Sequence, residues 1–201
     1  MYRLAHILQK NCPWLWHLIE WLNGWLFFLR YHKRLQGISD ILKKYQSDYV
    51  VKELEHEDVP CLATFFTEQP EEAFEFFRPH AFDEKTLRRL AKNPSYLAFV
   101  VYPNDTEKEQ IISYFFIRCY FIGKGFRGYM VDYRYRNRGI SKLSAMVMTD
   151  VAKALGIPTF GTIAPENISS LRSQGAVNEI RIIEQLNNGD YYVEYVAKNE
   201  E

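Results

Sequence analysis

Seven residues at positions 135–141, Tyr-Arg-Asn-Arg-Gly-Ile-Ser, put two guanidinium groups and a glycine directly ahead of a helical pattern. Arg136 and Arg138 stay charged at any working pH. Gly139 removes the side chain that would hold an anion at a distance. Ile140 and Ser141 begin a helix, whose first N–H groups and positive dipole end attract negative charge. A strand precedes the loop, so several main-chain N–H groups are left pointing into one space. Such a loop can cradle a diphosphate. Arginine and glycine also close loops that hold no ligand, and the pattern alone leaves both readings open.

Two further side chains could move protons. Asp132 sits at the strand end beside the loop, where it is either a base or a loop cap. His80, between Pro79 and Ala81 in the aromatic segment 76–82, would be held rigidly and titrate near neutrality, or else be a surface histidine. His56 and Glu57 read as solvated turn residues. Cys12, Cys61 and Cys119 are odd in number and widely spaced. They suit a reducing compartment and match neither a disulfide framework nor a zinc site. Cys119, on a strand, reads as packing, and no metal ligands are expected.

The elements that must position these groups begin near residue 48. Strands are expected at 49–53, 97–102, 111–121, 126–133, 159–163, 180–185 and 191–197. Helices are expected at 59–66, with Asp58 as N-cap and Pro60 in the first turn, and after Asp83, which caps the next helix through its carboxylate. Pro103, Asn104 and Asp105 turn the chain. The helix 141–155 should bury Leu143, Met146, Val147, Val151, Ala154 and Leu155 and end at Gly156. A short helix covers 168–173, and Asn187-Asn188-Gly189-Asp190 marks a hairpin. Strands 126–133 and 159–163, joined by a crossover helix, should be parallel within a mixed sheet carrying helices on both faces.

The 201 residues are 47% hydrophobic and 25% charged, as in a folded chain, and Lys plus Arg (25) equals Asp plus Glu (25). A neutral chain lacks the basic excess of a nucleic-acid-binding protein, so no nucleic-acid partner is expected. All four tryptophans, Trp14, Trp16, Trp21 and Trp25, fall in the segment 14–29, interrupted only by His17, Glu20, Asn23 and Gly24. Those four form one narrow stripe on a helical wheel. The run is too short to span a bilayer, and the basic cluster after it does not suit a signal peptide. Residues 13–34 are therefore expected to pack on the fold, to form a homodimer contact, or to lie in the membrane plane. Residues 1–47 form an N-terminal helical extension to a domain at 48–201, and 38–45 continues as a short helix with Asp40, Lys43 and Lys44 outward.

The segment 131–141, Val-Asp-Tyr-Arg-Tyr-Arg-Asn-Arg-Gly-Ile-Ser, resembles the acyl-CoA signature of the GCN5-related N-acetyltransferase (GNAT) superfamily, Gln/Arg-x-x-Gly-x-Gly/Ala. Arg136 and Gly139 match it, and Ser141 is a small departure. The element order over 48–197 is also that of the family. The resemblance implies an α/β (α+β) GNAT fold with a Trp-rich helical extension, and acetyl-CoA as acyl donor. Pantetheine would lie between strands 126–133 and 159–163 on the backbone of Met130 and Val131. The pyrophosphate would rest on Arg136, Asn137, Arg138, Gly139, Ile140 and Ser141, and Asn167 would contact the pantetheine arm. A backbone N–H near Met130 would polarise the thioester. The acceptor would attack directly, without a nucleophilic cysteine.

One family feature is missing. The position of the tyrosine that protonates the departing thiolate, seven after Asn167, holds Gln174. Tyr133, Tyr135, Tyr191 or Tyr192 would replace it, or the thiolate leaves unaided. The segment 76–82 resembles a loop of GNAT members associated with bacterial surface-sugar pathways. This implies a small acceptor, the amine of an amino sugar or similar metabolite, with Phe76, Phe77, Phe82, Tyr114, Phe115 and Phe116 around it. The expected location is cytoplasmic or peripheral at the inner face of the membrane. The alternatives are a non-catalytic acyl-CoA-binding or membrane-associated scaffold, or a protein N-acetyltransferase.

Overall fold

The computed structural model describes residues 13–104 and 110–198. Cys12 and Asp105 lie outside them. The chain runs through α1 (Pro13–Leu35), α2 (Ile38–Lys43), β1 (Tyr49–Glu53), α3 (Val59–Thr67), α4 (Glu84–Ala91), β2 (Tyr96–Pro103), β3 (Ser113–Tyr120) and β4 (Lys124–Val131). It continues through α5 (Ile140–Leu155), β5 (Thr159–Ile163), α6 (Ile168–Gly175), β6 (Asn178–Gln185) and β7 (Tyr191–Ala197). Short 3-10 turns cover Glu71–Phe74 and Tyr133–Tyr135.

The strands form one mixed sheet in the order β1-β2-β3-β4-β5-β7-β6, antiparallel except where β4 meets β5. Period-two alternation divides its core between two faces. Leu97, Phe99, Phe115 and Ile117 turn toward α1, α2 and α5. Tyr96, Ala98, Tyr114 and Phe116 turn toward α3 and α4. The β6–β7 hairpin turns at Gly189, whose φ of +92° is open to glycine at little cost.

Several elements depart from expectation for local reasons. Strand β4 starts and ends two residues early. It pairs back to Tyr120 directly after the turn at Gly123, and the Asp132 carboxylate takes the Arg134 N–H at 2.8 Å and folds 133–135 into a 3-10 turn. In α5 the buried row is Ile140, Ser144, Val147, Met148, Val151 and Leu155. Met146, expected inside, lies on the opposite side of the 3.6-residue wheel and is exposed, and Ala154, at the edge of the buried row, is exposed as well. Asp58 stands at the N-cap position of α3 without capping it. Its carboxylate instead accepts from Glu55 N at 2.9 Å and the Tyr102 hydroxyl at 2.8 Å, and pairs with Lys52 at 2.7 Å. Asp83 does cap α4, through Thr86 N at 3.0 Å.

The N-terminal helix packs with its polar stripe inward. Glu20 meets Arg118 at 2.7 Å, and Asn23 donates to Ser95 Oγ at 2.9 Å and Cys119 O at 3.0 Å while accepting from Phe121 N at 3.1 Å. One turn on, Phe27 and Tyr31 enter the same core as Ile38, Ile41 and Leu42 of α2. Arg34 closes the far end on Leu155 O.

Candidate functional site

The sheet opens between β4 and β5. Their parallel ladder is two pairs long, Gly125↔Thr159 and Phe126↔Phe160, and the strands diverge beyond it. Phe126, Phe160 and Tyr192 close that end of the opening, with ring centroids 5.7–6.1 Å apart.

The open edge of β4 can be read atom by atom. Gly125 N donates to Pro158 O, toward β5, at 3.0 Å, and Asp132 N donates to Ile112 O, toward β3, at 2.9 Å. Along an antiparallel strand, successive residues turn their main-chain groups to opposite sides. Odd-numbered residues of β4 therefore face the gap, and even-numbered residues face β3. The main chain of Arg127, Tyr129 and Val131 borders the opening. Met130, expected to supply an N–H there, pairs with Tyr114 on the other side, and its carbonyl also accepts from Ser113 Oγ at 3.0 Å. That expectation is corrected: Val131 stays at the gap edge and Met130 leaves it.

The gap leads to the loop before α5. Asn137 and Gly139 both take the left-handed conformation, with φ of 62° and 80°. A Cβ at Gly139 would meet nothing within 4 Å, so the space over the loop is open. No side chain caps α5, and Leu143 N is the first donor to return to the loop, at Gly139 O. The N–H groups of Ile140, Ser141 and Lys142 thus open the helix without acceptors among the described residues. Arg136 and Arg138 are exposed, and neither pairs with a carboxylate among the described residues. Arg138 lies over the Tyr135 ring at 4.8 Å. A cavity of about 510 Å³ adjoins the loop, lined by Ser47, Asp48, Tyr49, Pro103, Asn104, Tyr135 and Arg138. A diphosphate fits the loop: donors converge and two cations flank them, while Asp48 brings one carboxylate into the lining of the adjoining cavity.

Asp132 holds the loop from beneath. Its side chain is wholly buried. One carboxylate oxygen accepts from Arg134 N at 2.8 Å and Nε at 3.0 Å, the other from Arg134 Nη2 at 2.7 Å and Gln69 Nε2 at 3.2 Å. Burial pushes this carboxyl up, but the Arg134 and Gln69 donors together hold it below the ordinary carboxylate value. Four donors occupy the four acceptor positions of the group. Gln69 also receives Tyr133 N at 3.1 Å, which ties the loop to α3.

His80 lies on the α3–α4 face over β3. Its Nδ1–H donates to Ala81 O at 2.8 Å, and with that tautomer Nε2 accepts from the Tyr114 hydroxyl at 3.1 Å. Tyr114 reaches Tyr96 at 3.0 Å. Burial pulls His80 down to about 4, against the Ala81 carbonyl, which favours the charged form. The expected titration near neutrality is therefore replaced by a neutral imidazole. The expected ring-lined acceptor site is also only partly present. Phe77, Tyr114 and Phe116 are core, and Phe115 points through the other face of the sheet onto Phe99.

On the far wall, Asn167 caps α6 by accepting from Ser170 N at 3.0 Å. Gln174 is buried with Oε1 unpartnered, as are Nε and Nη2 of Arg127. The residue missed from the sequence is Tyr129. Its hydroxyl meets Ser173 Oγ at 2.8 Å, joining β4 to α6 beside the position of Gln174. Only the strand register, which the sequence does not display, marks it as a gap residue. Cys119 is buried, and burial pushes its thiol up, away from nucleophilic chemistry.

Solved structures share this architecture. An acetyltransferase of the GNAT family from Bacillus anthracis aligns with a TM-score of 0.59 at 16% identity, over 77% of this chain and 97% of that one. The chain has the GNAT fold. Within it, a ribosomal-protein-S5-alanine acetyltransferase from Vibrio fischeri aligns with a TM-score of 0.60 at 18% identity, over 78% of this chain and 97% of that one. Mycobacterium smegmatis RimJ in complex with CoA-disulfide aligns with a TM-score of 0.59 at 14% identity, over 74% and 81%. No family model and no curated protein matches the sequence. Helix α1 of this chain turns its apolar side outward.

Proposed function

We propose that this chain transfers an acetyl group from acetyl-CoA to the amine of a small acceptor, by direct attack with both substrates bound. The supporting observation is the continuous surface from the open edge of β4 to the uncapped start of α5, flanked by Arg136 and Arg138, which pair with no carboxylate among the described residues. Pantetheine would lie along Tyr129 and Val131 toward Asn167, and the diphosphate on Gly139 to Ser141. The Val131 N–H is the proposed donor to the thioester oxygen as charge develops there.

The acceptor nitrogen attacks the carbonyl carbon; the N–C bond forms, the C–S bond breaks, and sulfur leaves with the bonding pair. The nitrogen must lose a proton. His80 is the proposed receiver, directly or through water, once the Tyr114 hydroxyl turns its proton toward Tyr96 and frees Nε2. Tyr129 is the proposed donor to the departing sulfur, in place of the tyrosine that Gln174 replaces. Asp132 is a positioning residue, since every lone pair it could offer is engaged.

An amino sugar or similar metabolite is the proposed acceptor, because the neutral chain has no overall charge excess with which to gather a charged protein tail. The structural likeness to a ribosomal-protein acetyltransferase favours a second reading, a protein amine. Gln174 favours a third, a non-catalytic acyl-CoA binder. Use of acetyl-CoA and the free Cys61 and Cys119 suit a cytoplasmic protein.

Calorimetric titration with CoA tests the cradle. Arg136→Ala with Arg138→Ala should weaken binding by about tenfold or more, as two charge-assisted contacts are lost; unchanged affinity removes the assignment. Thiol release from acetyl-CoA over separate panels of amino sugars, polyamines and peptides then separates the readings. Tight binding without acceptor-dependent release from any panel favours the scaffold.

A further inference from the structure

Helix α1 is built with its polarity reversed. Glu20 and Asn23 are spent on Arg118, Ser95, Cys119 and Phe121, and a Cβ on Gly24 would come within 2.6 Å of Asn93 Oδ1. The face left outside is apolar, with Trp14 69%, Trp21 65% and Trp25 51% exposed, and Leu18, Leu22, Phe28 and Leu29 between them. Seven large apolar side chains along one stripe of a helix exceed the scattered exposure of an ordinary surface.

What borders that stripe identifies its occupant. A groove of about 640 Å³ runs between α1 and α4, with Trp21, Trp25 and Phe28 on one side and Lys85, Arg89 and Lys92 on the other. The only carboxylates of the two helices are already held, Glu20 by Arg118 at 2.7 Å and Glu84 by Arg88 at 2.9 Å. Arg89 is shared with Glu20 at 4.0 Å, but Lys85 and Lys92 pair with no carboxylate among the described residues, and apolar rings beside such cations match an acyl boundary topped by acidic headgroups. A second copy fits worse: a two-fold contact sets a patch against itself and brings these cations together. No helix of the described residues is long and apolar enough to cross a membrane, so the contact lies in the plane of the interface.

We propose that the outer face of α1, together with the cations of α4, docks this protein on the surface of an anionic lipid bilayer. The proposal does not depend on acetyl transfer. Trp14, Trp16, Trp21 and Trp25 are all the tryptophans of the chain, so intrinsic indole emission reports on this helix alone.

The full chain is mixed with vesicles of phosphatidylcholine alone or of phosphatidylcholine and phosphatidylglycerol in equal parts, and co-sedimentation and emission are read together. The mixed vesicles should shift emission to the blue and pellet the protein. Neutral vesicles should bind at least about tenfold more weakly, and salt should erase most of the difference. Trp21→Ser with Trp25→Ser, and separately Lys85→Glu with Lys92→Glu, should each reduce binding about tenfold or more while CD spectra stay unchanged. The proposal is overturned if the mixed vesicles give no shift, if neutral vesicles bind equally well, or if the charge-reversed variant binds as the parent does. It is also overturned if sedimentation velocity finds a dimer that the Trp variant dissociates and that ignores vesicles.

Discussion

The Nε2 of His80 and the hydroxyl of Tyr114 lie 3.1 Å apart, with the other ring nitrogen on Ala81 O at 2.8 Å, so the neutral imidazole carries its proton on Nδ1. Burial lowers it to about 4, against 6.5 for the free side chain. Between those values the unfolded chain binds the proton that the native state refuses. Stability is thus unaffected by this group above pH 6.5 and falls as the pH drops toward 4. At about 1.36 kcal/mol per unit, the loss approaches about 3 kcal/mol. His80→Phe should remove that part of the slope. Urea denaturation of both proteins at pH 7.5 and pH 5 checks it, and parallel losses would show that His80 is not buried as a neutral ring.

Asp132 joins a buried carboxylate to a loop that the proposed donor must touch. If it were the base, Asp132→Asn would lower turnover and leave stability intact. The four donors around it lead to the other outcome. The Asn variant should be about 2 kcal/mol less stable, as charge-assisted bonds in a buried site are lost. Its CoA affinity should fall because residues 133–139 loosen. Thermal melts and CoA titration on the same samples decide between the two.

Tyr129→Phe isolates one hydroxyl on the gap edge. Turnover should drop about a hundredfold if this group protonates the leaving sulfur, with CoA binding nearly unchanged. The lost bond to Ser173 costs about 1 kcal/mol of stability by itself. Ser173→Ala removes the same hydrogen bond but keeps the phenol, so it should stay active. Equal activity losses in the two variants would reduce Tyr129 to a structural tie.

The sequence carries the fold further than it carries the site. Gly189, within Asn187 to Asp190, and Gly156 announce their turns because few other residues tolerate their positive φ. The loop 135–141 is legible because its chemistry is local: two arginines and a left-handed glycine need no tertiary information to attract an anion. What fails depends on sides. Whether Met130 or Val131 faces the gap depends on which neighbour each edge of β4 pairs with, and period-two alternation is silent on that. The wheel of α1 displays a polar stripe but not that Ser95 and Cys119 wait for it. Burial of His80 is equally hidden, since it comes from a cluster that includes Phe66, Tyr96 and Tyr114, all distant in sequence.

The reversed polarity of α1 makes an ordering of variants opposite to that of an ordinary surface helix. Asn23 is the hinge of its packing: one carboxamide serves Ser95 Oγ, Cys119 O and Phe121 N. Asn23→Leu raises the apolar content of an already apolar helix, yet it strands a strand-end N–H and a carbonyl. It should destabilise the protein by about 1–3 kcal/mol. Trp25→Ser removes a large ring, but that ring is half exposed and away from the core, so the change should stay within about 0.5 kcal/mol. Urea midpoints for the two variants give the comparison directly. A larger loss for the tryptophan than for the asparagine would mean that the helix sits with its rings inward and its polar stripe in water.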